Sequence, residues 1–400
     1  MFFCKHAAAQ DSLLNKTKEE VLADSMAHQR DLTDELHIIF KKKTVERKDS
    51  AGAIHHSILP AAGYALQTGF AVVLSTNLGF YLGKNHTEEK ISTITSSITY
   101  SQYSQIIFPI QADVWSKNGK TNIISDLRYL NYPSQTFGLG GRSNINDGYN
   151  IDFQYIKVHQ TILKEITKNL YGGIGYYFDY FWDVKEIDVP AGTVTEFQRY
   201  GLTPTVTTSG FALRLMHDSR LNQINPANGW YGNAVFRTNQ KFLGSDNNWS
   251  SLQIEARKYF KFPASSRNIL ALWSYNLLTV KGKPPYLLLP STGWDDFYNT
   301  GRGYIQGRYR GNNMIYLESE YRFGITNNGL IGGVVFVNAE SFPRLLSDEL
   351  TKKELRTIAP GYGLGLRIKL NKFSGTNLCL DYGFGVQGSK GISVNLGEVF

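Results

Sequence analysis

From about residue 57 onward the chain alternates apolar and polar positions with period two, the pattern of strands with two unlike faces. In TNLCLDYGFGVQ one face carries Leu378, Leu380, Tyr382, Phe384 and Val386, and the other Asn377, Cys379, Asp381 and glycines. YGLGLRIKL sets Tyr362, Leu364, Leu366 and Ile368 against glycine, Arg367 and Lys369. LQIEARKYF, NIDFQYIKV, GGIGYYFDY and STITSSITY repeat the design. A half-buried sheet in a soluble sandwich would alternate too, but its strands are usually shorter. Here the apolar faces are rich in aromatics, and many segments reach the roughly 9–11 residues that a tilted membrane strand needs. Turn residues divide the region into roughly sixteen strands. The fold class expected is all-β: a 16-stranded antiparallel transmembrane β-barrel over 57–400, in the outer membrane of a bacterium.

Short turns at 325–327 and 372–374 read as periplasmic, and longer loops at 133–148, 183–204, 281–311 and 339–359 as external. Residues 10–56 are polar, highly charged and without alternation, and read as a periplasmic helical and linker segment. Residues 1–9 end in an Ala-x-Ala-like site and read either as a signal-peptide remnant or as an ordinary disordered terminus. The last strand, GISVNLGEVF, puts Ile392, Val394, Leu396 and Phe400 on one face, with Phe400 as a C-terminal targeting signal and Glu398 as an acid on that apolar face.

Composition strengthens the barrel reading through 24 Tyr, 23 Phe and 38 Gly. The net charge of +8 is spread along the chain beside 34 acids, so no basic stripe for nucleic acid emerges. Two distant cysteines, Cys4 and Cys379, make neither a disulfide framework nor a metal-ligand spacing, and no cofactor is implied. No nucleophile elbow, zinc-protease or P-loop motif occurs, so no enzyme is expected. His217, Asp218 and Ser219 are consecutive, and neighbours on a strand point to opposite faces rather than forming a triad. His55-His56 lies in the linker without further ligands, and FGLGGRSNINDG reads as a mobile outer loop.

One stretch stands apart. GRGYIQGRYRG, residues 301–311, ends a long loop with four glycines and three arginines. A barrel of this size leaves a lumen that its own wall side chains do not fill. A flexible cationic loop can fold into it and pair with inward acids, and parity supplies Glu318, Glu320 and Asp381. The alternative is an external loop whose arginines are solvated or bind lipopolysaccharide.

At these residues the chain resembles the BamA/TamA-type outer-membrane assembly barrels, the bacterial surface antigen superfamily. Arg302, Gly303 and Tyr304 are similar to that family's Arg-Gly-aromatic loop signature. HDSRLNQINPANGWYGNAVF resembles its Asp-Ser-Arg…Pro-x-x-Gly hairpin, with Asp218, Arg220, Pro226 and Gly229 at the turn. ESEYRFG, GYGLGLRI, CLDYGFG and AAGYALQTGF are similar to its later strands and first hairpin. The resemblance implies insertion or translocation of polypeptide, or lipid, through a lateral seam between the first and last strands. Pro60 in the first strand and Gly391 and Gly397 in the last would weaken that ladder. A structural or accessory barrel, or a passive pore, is the alternative. The expected partners are outer-membrane lipids and lipopolysaccharide, periplasmic POTRA-bearing or chaperone subunits, and a further copy of the chain as a homo-oligomer. Two departures stand out. The leading segment is too short for the family's POTRA domains, and Asn338 and Glu340 stand where the family tends toward aspartate and glycine.

Overall fold

The computed structural model describes residues 29–32, 34–35, 55–65, 68–82, 91–343, 357–372 and 374–400. The expectations for 1–9 and for most of 10–56 lie outside the described residues. One continuous antiparallel sheet contains every strand among the described residues. It begins with β1 (His55–Ala65), β2 (Gly69–Phe80), β3 (Ser92–Ser101), β4 (Ile106–Trp115) and β5 (Thr121–Asn131). The longest strands follow, β7 (Tyr149–Thr167) and β8 (Leu170–Ile187), with three-residue β6 (Ser134–Thr136) added along β7. Then come β9 (Val206–Asp218), β10 (Gly229–Asn239), β11 (Trp249–Lys261) and β12 (Ile269–Gly282). The remainder is β13 (Asn313–Gly324), β14 (Ile331–Ser341), β15 (Ala359–Asn371), β16 (Thr376–Phe384) and β17 (Lys390–Leu396). Without β6 the wall has the sixteen strands that the alternation predicts.

Each wall strand pairs with its neighbour in sequence, so the sheet curls round until β17 meets β1. There the two approach closely: a Cβ on Gly63 would lie 3.6 Å from Val394. Among the described residues no hydrogen-bonded ladder joins them, and the barrel is nearly closed.

The distribution of side chains is inside out. Tyr362 and Leu364 are each 60% exposed on the outer wall, whereas Glu320 and Asp179 are fully buried on the inner one. A protein folded in water would reverse this assignment. An apolar exterior over a charged, hydrogen-bonded interior is the arrangement that lipid selects, since closed strands leave few backbone groups unpaired in hydrocarbon.

The sheet's turn side is crossed by the segment between β9 and β10. Asn222 Nδ2 donates to the Ser374 carbonyl at 2.8 Å and Asn225 Nδ2 to that of Gly375 at 3.1 Å. Arg30 and Asp34 dock on the same side: Arg30 N–H donates to the Asn328 carbonyl at 3.0 Å, and Lys372 Nζ meets Asp34 at 2.7 Å.

One sequence expectation is corrected here. Ile392, Val394 and Leu396 do face outward, but Phe400 does not share their face. The strand stops at Leu396, and Gly397 adopts φ +86°, a left-handed conformation that redirects the chain. Glu398 then turns inward, with its carboxylate 2.8 Å from Arg367 Nε, and is no acid on a lipid face. The Phe400 ring is buried against Trp273, centroids 5.2 Å apart. Simple alternation extrapolates past a break it cannot see.

Candidate functional site: the inward loop and its charged wall

Residues 283–312 leave β12 and return at β13 by way of the lumen. Local chemistry shapes the bend before the tip. The Asp295 carboxylate accepts from the N–H groups of Asn299 and Thr300 at 2.9 and 2.7 Å and from the Thr300 hydroxyl at 2.8 Å. This Asx-type knot reinforces a backbone turn in which Tyr298 N–H donates to the Asp295 carbonyl at 3.2 Å. It delivers the tip, Arg302-Gly303-Tyr304, onto the inner face of β13 to β16.

Arg302 is only 5% exposed. Its Nη1 lies 2.7 Å from Asp381, and its Nη2 contacts both Glu318 and Glu320. The flat guanidinium also sits over the Phe336 ring, 3.7 Å from its centroid. Gly303 has φ +104° and lies so near the wall that a Cβ would stand 2.8 Å from the Phe384 backbone. Gly383 opposes it, where a Cβ would fall 2.6 Å from Gly303 N. Two absent side chains thus allow backbone against backbone. The Tyr304 hydroxyl donates to the Pro360 carbonyl at 2.5 Å and accepts from the Val386 N–H at 3.1 Å.

The acids around Arg302 are themselves held. Arg367 meets Asp381 at 2.5 Å and Glu398 at 2.8 Å, and Arg322 meets Glu320 at 2.7 Å. Three guanidiniums therefore face four carboxylates, Glu318, Glu320, Asp381 and Glu398, all buried. Burial of such charges is tolerable only because each is paired. The far side of the loop reaches the opposite wall: Asp296 lies 3.4 Å from Lys157, and its carbonyl accepts from Arg128 and from Gln111.

The structure therefore brings Arg302, Glu318, Glu320 and Asp381 together, and the solvated-arginine alternative does not describe Arg302, Arg308 or Arg310, all buried. Asn338 supports the tip differently from a carboxylate, donating through Nδ2 to the Arg302 carbonyl at 3.0 Å. Glu340 accepts instead from the Thr292 hydroxyl at 3.0 Å. Pro60 is exposed on β1, Gly391 sits opposite Gly383 in the β16–β17 ladder, and Gly397 marks the end of β17; none of these touches the loop tip. His217 stacks on Trp230 at the outer wall while Asp218 pairs with Arg220, so these neighbours do not converge. Residues 137–148 are no free outer loop: Arg308 Nη1 donates to Ser143 at 2.8 Å, and Gly140 N–H to the Arg310 carbonyl at 2.7 Å. Sequence reading missed Arg322, Arg367 and Glu398 as partners, although parity puts Arg322 on the face of Glu320.

A wall that is apolar outside and charged inside, threaded by an arginine-tipped loop, defines an outer-membrane β-barrel. Residues 76–400 match the Omp85 superfamily domain, and the chain belongs to that superfamily. Among solved structures it is similar to BamA from Haemophilus ducreyi lacking POTRA domains 1–3. That match has TM-score 0.54 and 12% identity, covering 96% of this chain and 82% of that one. It is also similar to CdiB from Escherichia coli (TM-score 0.52, 11% identity, 87% and 67% covered). CdiB from Acinetobacter baumannii gives TM-score 0.50 and 13% identity, with 87% and 66% covered. At such identities the likeness is one of fold. No curated protein matches the sequence.

Proposed function

We infer that this barrel inserts or passes polypeptide through the seam between β1 and β17, with the loop tipped by Arg302 closing the lumen meanwhile. One observation carries the reading: β17 is only seven residues long and has no described ladder to β1. Each backbone bond forgone there removes about 0.5–1.5 kcal/mol from the cost of parting the two edges. An unpaired strand edge is also a template on which an incoming strand can add. The buried tip supports the second half, since a filled lumen leaves the seam as the path of exchange. Delivery of the client by a periplasmic chaperone or POTRA-bearing subunit belongs to the same reading.

The test is a reducible lock, Gly63→Cys with Val394→Cys, in liposomes supplied with an unfolded barrel client. The locked protein is expected to leave client folding at its spontaneous rate, and reduction to restore acceleration. Equal acceleration by the locked and reduced forms would remove the seam from the mechanism, and acceleration by neither would point to a structural barrel or passive pore.

A further inference from the structure

The outer wall has one place where its large apolar side chains give way. Across β10 to β14 the register aligns Trp230, Lys258, Leu272, Ser319 and Val337 in one row. The next row brings Gly232, Ala256 and Ser274 side by side. Directly opposed residues of a sheet share a face, and the exposure of Trp230, Leu272 and Val337 makes that face the outer one. Small side chains between large ones leave a groove of about 600 Å³ in the wall. That lies within the roughly 300–1,000 Å³ of cavities that hold whole small molecules.

The groove's lining is almost wholly apolar, but a cation stands in it. Lys258 is exposed within it, and no hydrogen bond or ion pair engages it among the described residues. Ser319 adds a hydroxyl, and the Ser274 hydroxyl accepts from Asn276 Nδ2 at 2.9 Å. Trp230 forms the rim, steadied by its stack on His217 at 3.9 Å. Lys258 stands three residues before Lys261, the end of β11, which at ~3.3 Å per residue is within reach of the headgroup layer. That end lies on the side of the short turns, the periplasmic side. An unpaired ammonium on a lipid-facing wall is costly unless an anion meets it.

We propose that this groove holds one glycerophospholipid of the periplasmic leaflet, its phosphate against the Lys258 ammonium and an acyl chain over the floor of Ala256 and Ser274. The rim indole lies at headgroup level, as interfacial tryptophans do. This site lies on the outer wall of β10 to β14, away from the seam.

The experiment uses the detergent-solubilised full chain, titrated with phosphatidylglycerol or diacylglycerol carrying brominated acyl chains, and reads quenching of Trp230 as the difference from Trp230→Phe. Half-maximal quenching is expected at about fivefold less phosphatidylglycerol than diacylglycerol, the effect of roughly one lysine–anion contact. Lys258→Gln should erase that difference, Lys258→Arg should keep it, and Ser274→Leu, which fills the floor, should weaken quenching by both lipids. Heat-modifiable migration on gels verifies that each variant is a folded barrel. Equal half-points in the wild type, or an unchanged ratio in Lys258→Gln, would overturn the proposal. So would a photocrosslinker at Leu317 that captures polypeptide rather than lipid in native membranes.

Discussion

The inward loop touches two walls, and they hold it in different ways. Against β13 to β16 the contact is dry: Arg302 is enclosed by carboxylates, an aromatic ring and glycine backbone. Against β4, β5 and β7 the polar contact is half wet, because the Asp296 side chain is 50% exposed where it meets Lys157, and the dry part of that contact is aromatic, with Trp294 on Tyr132 and Phe153. A buried charge that loses its partners is strongly penalised, whereas an exposed pair contributes little beyond what water would supply. The buried ion pairs therefore fix the tip, whereas the Asp296–Lys157 pair only aligns it. Glycine placement agrees, since Gly303 and Gly383 face one another only at the dry contact.

The comparison can be broken most forcefully at Arg302. Arg302→Ala leaves Glu318 without a guanidinium partner, while Glu320 and Asp381 keep Arg322 and Arg367, and should cost about 3–5 kcal/mol, read as a shift of the urea midpoint in detergent or bilayer. The same variant should raise single-channel conductance, because the tip no longer has an anchor. Gly383→Val is expected to cost less, about 1–3 kcal/mol, by forcing the tip off the wall without touching a charge. If its conductance rises as in Arg302→Ala, close approach is as necessary as pairing. Asp296→Asn should change stability by only about 0–1 kcal/mol, measured in the same unfolding series. A larger loss would mean that the half-wet contact is an anchor in its own right.

Much of this was legible from alternation alone. Strand number, the outward faces of β15 and β16, and the inward placement of Glu318, Glu320 and Asp381 follow from period two, because lipid and lumen demand opposite side chains at successive residues. What was not legible arises where the period breaks. Phe400 went to the wrong face because Gly397 turns the chain through a left-handed conformation, and Glu398 gains Arg367 by following it inward. Arg322 and Arg367 have the right parity, but which acid each one meets depends on strand register, which periodicity does not supply. Residues 137–148 looked free because their partners, Arg308 and Arg310, lie far along the chain.

The wall's connectivity carries a consequence for biogenesis. Every rung joins wall strands adjacent in sequence, so hairpins can zip on one after another, each step closing only the loop between two neighbours. Arg302, by contrast, waits for Asp381, 79 residues downstream. The loop tip of a nascent cylinder can therefore reach its full set of partners only once the penultimate stave is in place.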